Sequence, residues 1–115
     1  MGLSEIEIIT ALNRLSSLKS ALSAIGVSGM TVVQASGCGV KNGTQEYEAE
    51  MNQEMELLPK QMVIILVEDS QIDKVVDVIK KVLFTGHIGD GKIVIKPVSN
   101  IIRVRTGEEG ADALH

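Results

Sequence analysis

Residues 61–67 read Gln61-Met62-Val63-Ile64-Ile65-Leu66-Val67, and every position after the first is apolar. Successive side chains of a strand point to opposite faces. Met62, Ile64 and Leu66 therefore go one way, and Val63, Ile65 and Val67 the other, so both faces are apolar. The pattern then changes period. Ile72, Val75, Val76, Ile79, Val82 and Leu83 recur at three- and four-residue steps, the stripe of an amphipathic helix. Ser70 and Asp73 stand ahead of it as a capping-box-like pair.

Working outward, the N-terminal side repeats the motif. Ile6, Ile8 and Ile9 lie in a β-branched run that predicts a first strand. Leu15, Leu18, Leu22 and Ile25 predict a helix closed by Gly26, and Met30 to Ala35 a second strand. From Gly37 to Glu56 apolar periodicity disappears for about twenty residues, a length that in a small domain marks a functional or disordered loop. On the C-terminal side a glycine-rich turn, Thr85 to Gly91, leads into a fourth strand, Lys92 to Lys96. Ile101 to Arg105 reads as short and extended, and the acidic tail from Gly107 as mobile.

The order is β-α-β, long loop, β-α-β, which predicts a single α/β (α+β) domain over residues 1–115, a ferredoxin-like split βαβ sandwich. Two helices cover one face of such a sheet. The second apolar face needs another cover, and an uncovered apolar face predicts a homo-oligomer.

Bulk properties agree with one small domain: the chain has 115 residues, 44% of them hydrophobic and only 2% aromatic, so the core must be aliphatic. A net charge of −4 speaks against a general nucleic-acid binder. The single cysteine, Cys38, excludes an internal disulfide and fits a reducing cytosol. No leader pattern opens the chain, and no apolar stretch reaches the ~18 residues of a membrane span. The expectation is a cytoplasmic protein without membrane insertion.

Three segments are candidates for chemistry. The first is Thr85-Gly86-His87-Ile88-Gly89-Asp90-Gly91-Lys92-Ile93. Its glycines let backbone N–H groups converge on an anion. Lys92 follows, then Arg103 and Arg105 at alternate positions, which in a strand share one face. Guanidinium groups meet phosphate oxygens in a bidentate fork, so this set suits a di- or triphosphate. A tight turn beside a solvated basic edge is the bland alternative. The Walker A pattern is absent. The second candidate is Gly37-Cys38-Gly39-Val40-Lys41, where glycine permits close approach to a ligand or serves as a hinge. The third is the long loop, where Glu46, Glu48, Glu50, Glu54 and Glu56 oppose Lys41 and Lys60 at its roots. Such a charge pattern favours an extended recognition loop. It lacks the EF-hand pattern, and two histidines, His87 and His115, cannot build a zinc cluster.

Together these segments resemble the PII signal transduction family. The resemblance is carried by Thr85 to Ile93, by Pro97-Val98, and by Ile101-Ile102-Arg103-Val104-Arg105-Thr106-Gly107-Glu108, with Gly29-Met30-Thr31-Val32 and Leu58-Pro59-Lys60 in step. It covers almost the full chain. It implies a homotrimer of ferredoxin-like subunits with ATP or ADP bound as effectors in the clefts between them. The family's T-loop would span about residues 37–59, its B-loop about 85–92 and its C-terminal segment about 101–115. Carried over, Thr31 and the backbone near Leu66 would hold adenine. Gly37, Cys38, Gly39, Lys41 and the B-loop residues Thr85, Gly86, His87, Ile88, Gly89, Asp90, Gly91 and Lys92 would surround ribose and phosphates. Arg103 and Arg105 would pair with phosphates. The T-loop would dock on an unidentified transporter or enzyme.

Departures from the family pattern are specific. Val40-Lys41 replaces an arginine-glutamine pair whose glutamine contacts magnesium and 2-oxoglutarate, and lysine offers no acceptor to a cation. Magnesium dependence is therefore not expected from the resemblance. Gln53 stands at the place of the uridylylated tyrosine, with Tyr47 out of register. His87 replaces a B-loop lysine, and Ala11-Leu12-Asn13 an N-terminal Lys-Pro-Phe motif. These changes resemble diverged members linked to other transporters, such as the polyamine-transporter-associated PotN group. A competing class is a small phosphate-cleaving enzyme of ferredoxin-like fold, similar to acylphosphatase, through Val33-Gln34-Ala35-Ser36-Gly37-Cys38-Gly39. That enzyme's loop carries an arginine and leads into the first helix. A purely structural trimer is the third reading. Nucleotide binding without turnover separates the first from the other two.

Overall fold

A computed structural model describes residues 2–11, 13–37 and 58–115. Four strands and two helices follow the predicted order: β1 (Leu3–Thr10), α1 (Leu15–Ala24), β2 (Thr31–Gly37), β3 (Leu58–Glu68), α2 (Ile72–Leu83) and β4 (Lys92–Val98). The sheet order is β2-β3-β1-β4 with every neighbour antiparallel. Each pair that is consecutive through a helix is separated by an inserted strand. This is the ferredoxin-like sandwich read from the sequence.

Register follows from alternation. Ile6 stands opposite Ile65 and Ile95, and Ile8 opposite Val63 and Ile93. These positions face the helices. Ile6, Ile8, Val63, Ile65 and Val67 pack with Leu18 and Leu22 of α1 and with Val75, Ile79 and Leu83 of α2 in one aliphatic core. The buried α2 positions are spaced by four, which places them on one stripe. Asp73 in its first turn and Lys80 and Lys81 in its last complement the helix dipole. The end of α1 is set by Gly26, whose φ of +91° lets Val27 N–H return to Leu22 O at 3.1 Å.

Among the described residues no helix covers the opposite sheet face. Ile9, Met62, Ile64 and Val94 are half-buried there, and Val33 and Leu66 are exposed. The apolar second face predicted from residues 61–67 is thus present, and uncovered among the described residues.

Three sequence expectations change. The Ser70–Asp73 capping box does not form: a 3₁₀ turn, Asp69–Gln71, leads into α2, and its N-cap is Gln71 without a side-chain cap bond. Asp69 instead accepts Ser4 Oγ at 2.6 Å, so tertiary bonding overrides the local signal. Residues 101–105 are not one extended segment. Ile102 bridges to Glu109, and Arg103 N–H bonds to Glu108 O at 2.9 Å while Gly107 N–H returns to Arg103 O at 2.8 Å, closing a turn. The tail is docked. Gly110–Ala113 forms a 3₁₀ turn, and Ser28 Oγ donates to Leu114 O at 3.1 Å. The strands also reach further than the apolar runs, so that Gly37, Leu58 and Pro59 are paired strand residues.

Candidate functional site

The turn between α2 and β4 is built around Asp90. Its carboxylate accepts Thr85 N–H at 2.8 Å, Gly86 N–H at 3.0 Å and the Thr85 hydroxyl in a short contact. Thr85 Oγ1 in turn accepts His87 N–H at 3.2 Å. The Thr85 hydroxyl and amide hold the Asp90 carboxyl below its ordinary value. Gly86, Gly89 and Gly91 take φ of +81°, +107° and +102°, backbone that L side chains rarely adopt.

β1 clamps this turn from below. Gly89 O accepts Ala11 N–H at 3.1 Å and Thr10 Oγ1 at 3.2 Å. Gly91 lies so near β1 that a Cβ there would fall 2.0 Å from Ile9 O. The turn is therefore a fixed cradle at the open end of the sheet.

Beside it lies a cavity of about 630 Å³. Its lining includes Gly37 and Ser36 from β2, Lys60 and Met62 from β3, Ile9 from β1, and His87 to Lys92 from the turn. Lys60 and Lys92 both stand on the uncovered face, Lys60 opposite Ala35 and Lys92 opposite Ile9. The Lys60 stem lies over Gly37, where a Cβ would meet Cδ and Cε at 3.0 Å. Two ammonium groups, an apolar floor and a glycine-rich rim suit a phosphorylated ligand of moderate size. A second groove, of about 740 Å³, shares Asp90, Gly91 and Lys92 and is lined further by Ile79, Leu83, Phe84 and Ile93 with Asp77, Lys80 and Lys81. It has lysines but none of Gly37, His87, Ile88 and Gly89, so the first cavity, which gathers the glycine-rich turn, is taken as the candidate site.

Of the predicted site residues, the structure gathers Gly37, His87, Ile88, Gly89, Asp90, Gly91 and Lys92, with Thr85 and Gly86 shaping their turn. Cys38, Gly39 and Lys41 lie outside the described residues, as do Tyr47, Gln53 and the loop glutamates. Thr31, Leu66, Arg103 and Arg105 do not line the cavity. Thr31 pairs with Ile64 and lies six positions from Gly37 along β2, about 20 Å of extended chain. Because residues 103–106 form a turn, the one-face argument for the two arginines fails. Arg103 is paired with Glu108 Oε1 at 3.0 Å, which also accepts Thr106 Oγ1 at 2.8 Å. Lys60 is the site cation that sequence reading assigned only to a loop root. Its motif and its alternation with Met62 were the available signal.

The profile of the family described as Nitrogen regulatory protein P-II matches residues 3–108. The chain belongs to the P-II family. It is 37% identical over 110 residues to the Nitrogen regulatory protein P-II of Azospirillum brasilense, spanning 96% of this chain and 98% of that one. It is 38% identical over 101 residues to Nitrogen regulatory protein GlnK of Escherichia coli, spanning 88% and 90%. Among solved structures it is similar to the Bacillus subtilis GlnK–ATP complex, with a TM-score of 0.83, 34% identity and 98% of both chains covered. It is also similar to Arabidopsis thaliana PII bound to citrate, with a TM-score of 0.77, 34% identity, and 98% and 90% covered. The chain is thus a P-II-type regulatory protein, and the homotrimer implied by the resemblance, consistent with the homo-oligomer read from the open sheet face, is typical of that family. Among the described residues no helix is long and apolar enough to cross a membrane.

Proposed function

We propose that this P-II protein is a cytoplasmic sensor of ATP and ADP that binds nucleotide without turning it over. The observation that carries the reading is the cavity of Gly37, Lys60 and Gly89 to Lys92, in a chain that superposes along 98% of its length on GlnK solved with ATP. The site residues divide into two groups. The cavity group supplies glycine backbone and two lysines for the phosphates. Thr31, Leu66, Arg103 and Arg105 belong to a second group outside it. In a closed ring a head-to-tail interface brings two different surfaces together. Each cleft would then take its phosphate cradle from one copy and its adenine contacts and arginines from the next.

The segment around residues 37–59 would carry the signal, as the part of the domain with the least apolar periodicity. Nucleotide exchange would shift its population of conformations, and an unidentified transporter or enzyme would read that shift. The net charge of −4 speaks against nucleic acid as a partner, and among the described residues no helix is long and apolar enough to cross a membrane. Lys41 in place of a magnesium-ligating glutamine supports nucleotide binding that does not depend on magnesium and no magnesium-bridged 2-oxoglutarate.

Calorimetric titration with ATP and with ADP, with and without EDTA, tests the reading, alongside a phosphate-release assay. Saturable, mutually competitive binding of both nucleotides without phosphate release is expected. Release of phosphate at a steady turnover, or absence of binding, would contradict it.

A further inference from the structure

The middle of the uncovered sheet face holds three neighbouring charged positions. β1 places Glu5 and Glu7 on it, and β4 places Lys96. Around them stand Leu66 and Ile64 of β3 and Val94 of β4. Glu5 is directly opposite Lys96 in the ladder, yet the ammonium serves the other carboxylate: Lys96 Nζ donates to Glu7 Oε1 at 2.8 Å. The Glu7 side chain is only 14% exposed.

One ammonium therefore faces two carboxyl groups. Glu5 and Glu7 stand two positions apart on one face of β1, and the neighbouring Glu7 carboxyl raises Glu5 above an ordinary glutamate, while the Lys96 bond holds Glu7 lower. Two adjacent carboxyls resist ionising together. The other ionisable groups on this face lie towards its two ends. Glu68 stands opposite Leu3, and Lys60 and Lys92 belong to the phosphate cavity. Among the described residues no helix packs on this side to bring a further charge.

In a homotrimer whose copies close around an axis through their open faces, the trios would be brought together. Each then carries one uncompensated negative charge when both glutamates are ionised. Like charges repel more strongly as water is excluded. We infer that Glu5 makes assembly of this chain acid-strengthened, the trimer being loosest with Glu5 ionised and tightening as Glu5 takes up a proton. The inference rests on the homotrimer reading above.

The sign follows from linkage. Assembly favours protonated Glu5, so its destabilising effect is present above its raised pKa and gone below the ordinary value of 4.5. The Glu7–Lys96 pair acts oppositely and is lost only as pH falls through the lowered value of Glu7. Assembly should therefore be strongest in mild acid.

The test compares wild type with Glu5→Gln, and with Glu5→Leu as a second variant. Sedimentation equilibrium and thermal unfolding are run at about pH 7.5 and at about pH 4, below the ordinary glutamate value. At the higher pH the variants should dissociate at least about tenfold less readily, or melt at least about 3 °C higher, a readable shift for a domain of this size. The difference should shrink at the lower pH because wild-type Glu5 takes up a proton as pH falls. A trimer whose variants differ equally from wild type at both pH values would overturn the inference and leave the trimer standing. Variants weaker than wild type at the higher pH would also overturn it. A chain that is monomeric throughout would overturn the trimer reading itself.

Discussion

Replacing Gly91 with alanine probes the join between the proposed phosphate cradle and the sheet. Two effects act at this residue. Its φ of +102° costs an L side chain about 1–2 kcal/mol. In addition, the new Cβ would lie 2.0 Å from Ile9 O and 2.9 Å from Thr10 Cα. Both are backbone atoms of a strand paired on each side, so neither can yield. The turn must retreat by about 1 Å or more, given ordinary carbon–oxygen separations near van der Waals contact. Retreat strains the bonds from Ala11 and Thr10 to Gly89 O and displaces Lys92 from the cavity rim. Gly89→Ala is the internal control. Its φ is +107°, but its Cβ would meet only Ala11 Cβ, at 3.5 Å, an ordinary contact. Both variants should lose the φ term, and Gly91→Ala should lose several-fold more stability and at least about a hundredfold in ATP affinity, since misplaced charge-assisted contacts are worth ~1.5–3 kcal/mol each. Thermal unfolding and ATP calorimetry on the pair measure this. Equal stability and equal affinity in the two variants would refute the clamp between β1 and the turn.

Lys60→Ala and Lys92→Ala should each weaken ATP by roughly ten- to a hundredfold on the strength of charge-assisted contacts, read by calorimetry, with the fold retained. Asp90→Asn should loosen the Thr85–Gly91 turn. Because the Asp90 pKa is lowered, its contribution is fully present above the ordinary value of 3.8 and lost as pH falls through the lowered one, so the variant should lose that part of the acid dependence of unfolding. Ile79→Ala empties a fully buried position between α2 and the sheet and should cost ~2–5 kcal/mol by urea unfolding.

The fold was legible because two patterns with different periods alternate along the chain. The run at 61–67 and the stripe at 72–83 set β3 and α2, and their repetition around Ile6 to Ile25 set the other half. The uncovered face was legible for the same reason, since Met62, Ile64 and Leu66 had no helix left to cover them. Strand ends were less visible, because Gly37 and Pro59 join the sheet by backbone pairing and carry no apolar signal. Ser70 and Asp73 look like a cap, but Asp69 and Ser4, sixty-five positions apart in sequence, decide how the chain enters α2. The alternation of Arg103 and Arg105 suggested a strand, while Glu108 and Gly107 fold the segment back on itself. The cradle was readable from glycine spacing. The role of Asp90 inside the turn was not, because sequence alone cannot tell a carboxylate facing a ligand from one accepting its own backbone.

Mixing two defective chains tests most directly whether nucleotide sites form between copies. Lys92→Ala removes the phosphate cradle's lysine, and Arg103→Ala removes a residue of the other group. In trimers assembled randomly from equal amounts of both, about a quarter of the clefts pair an intact cradle with an intact arginine. ATP calorimetry on the mixture should show wild-type affinity at that fraction of sites, though neither parent shows it alone. A mixture that binds no better than its parents, despite proven exchange of subunits, would place the whole site within one chain and contradict the shared cleft.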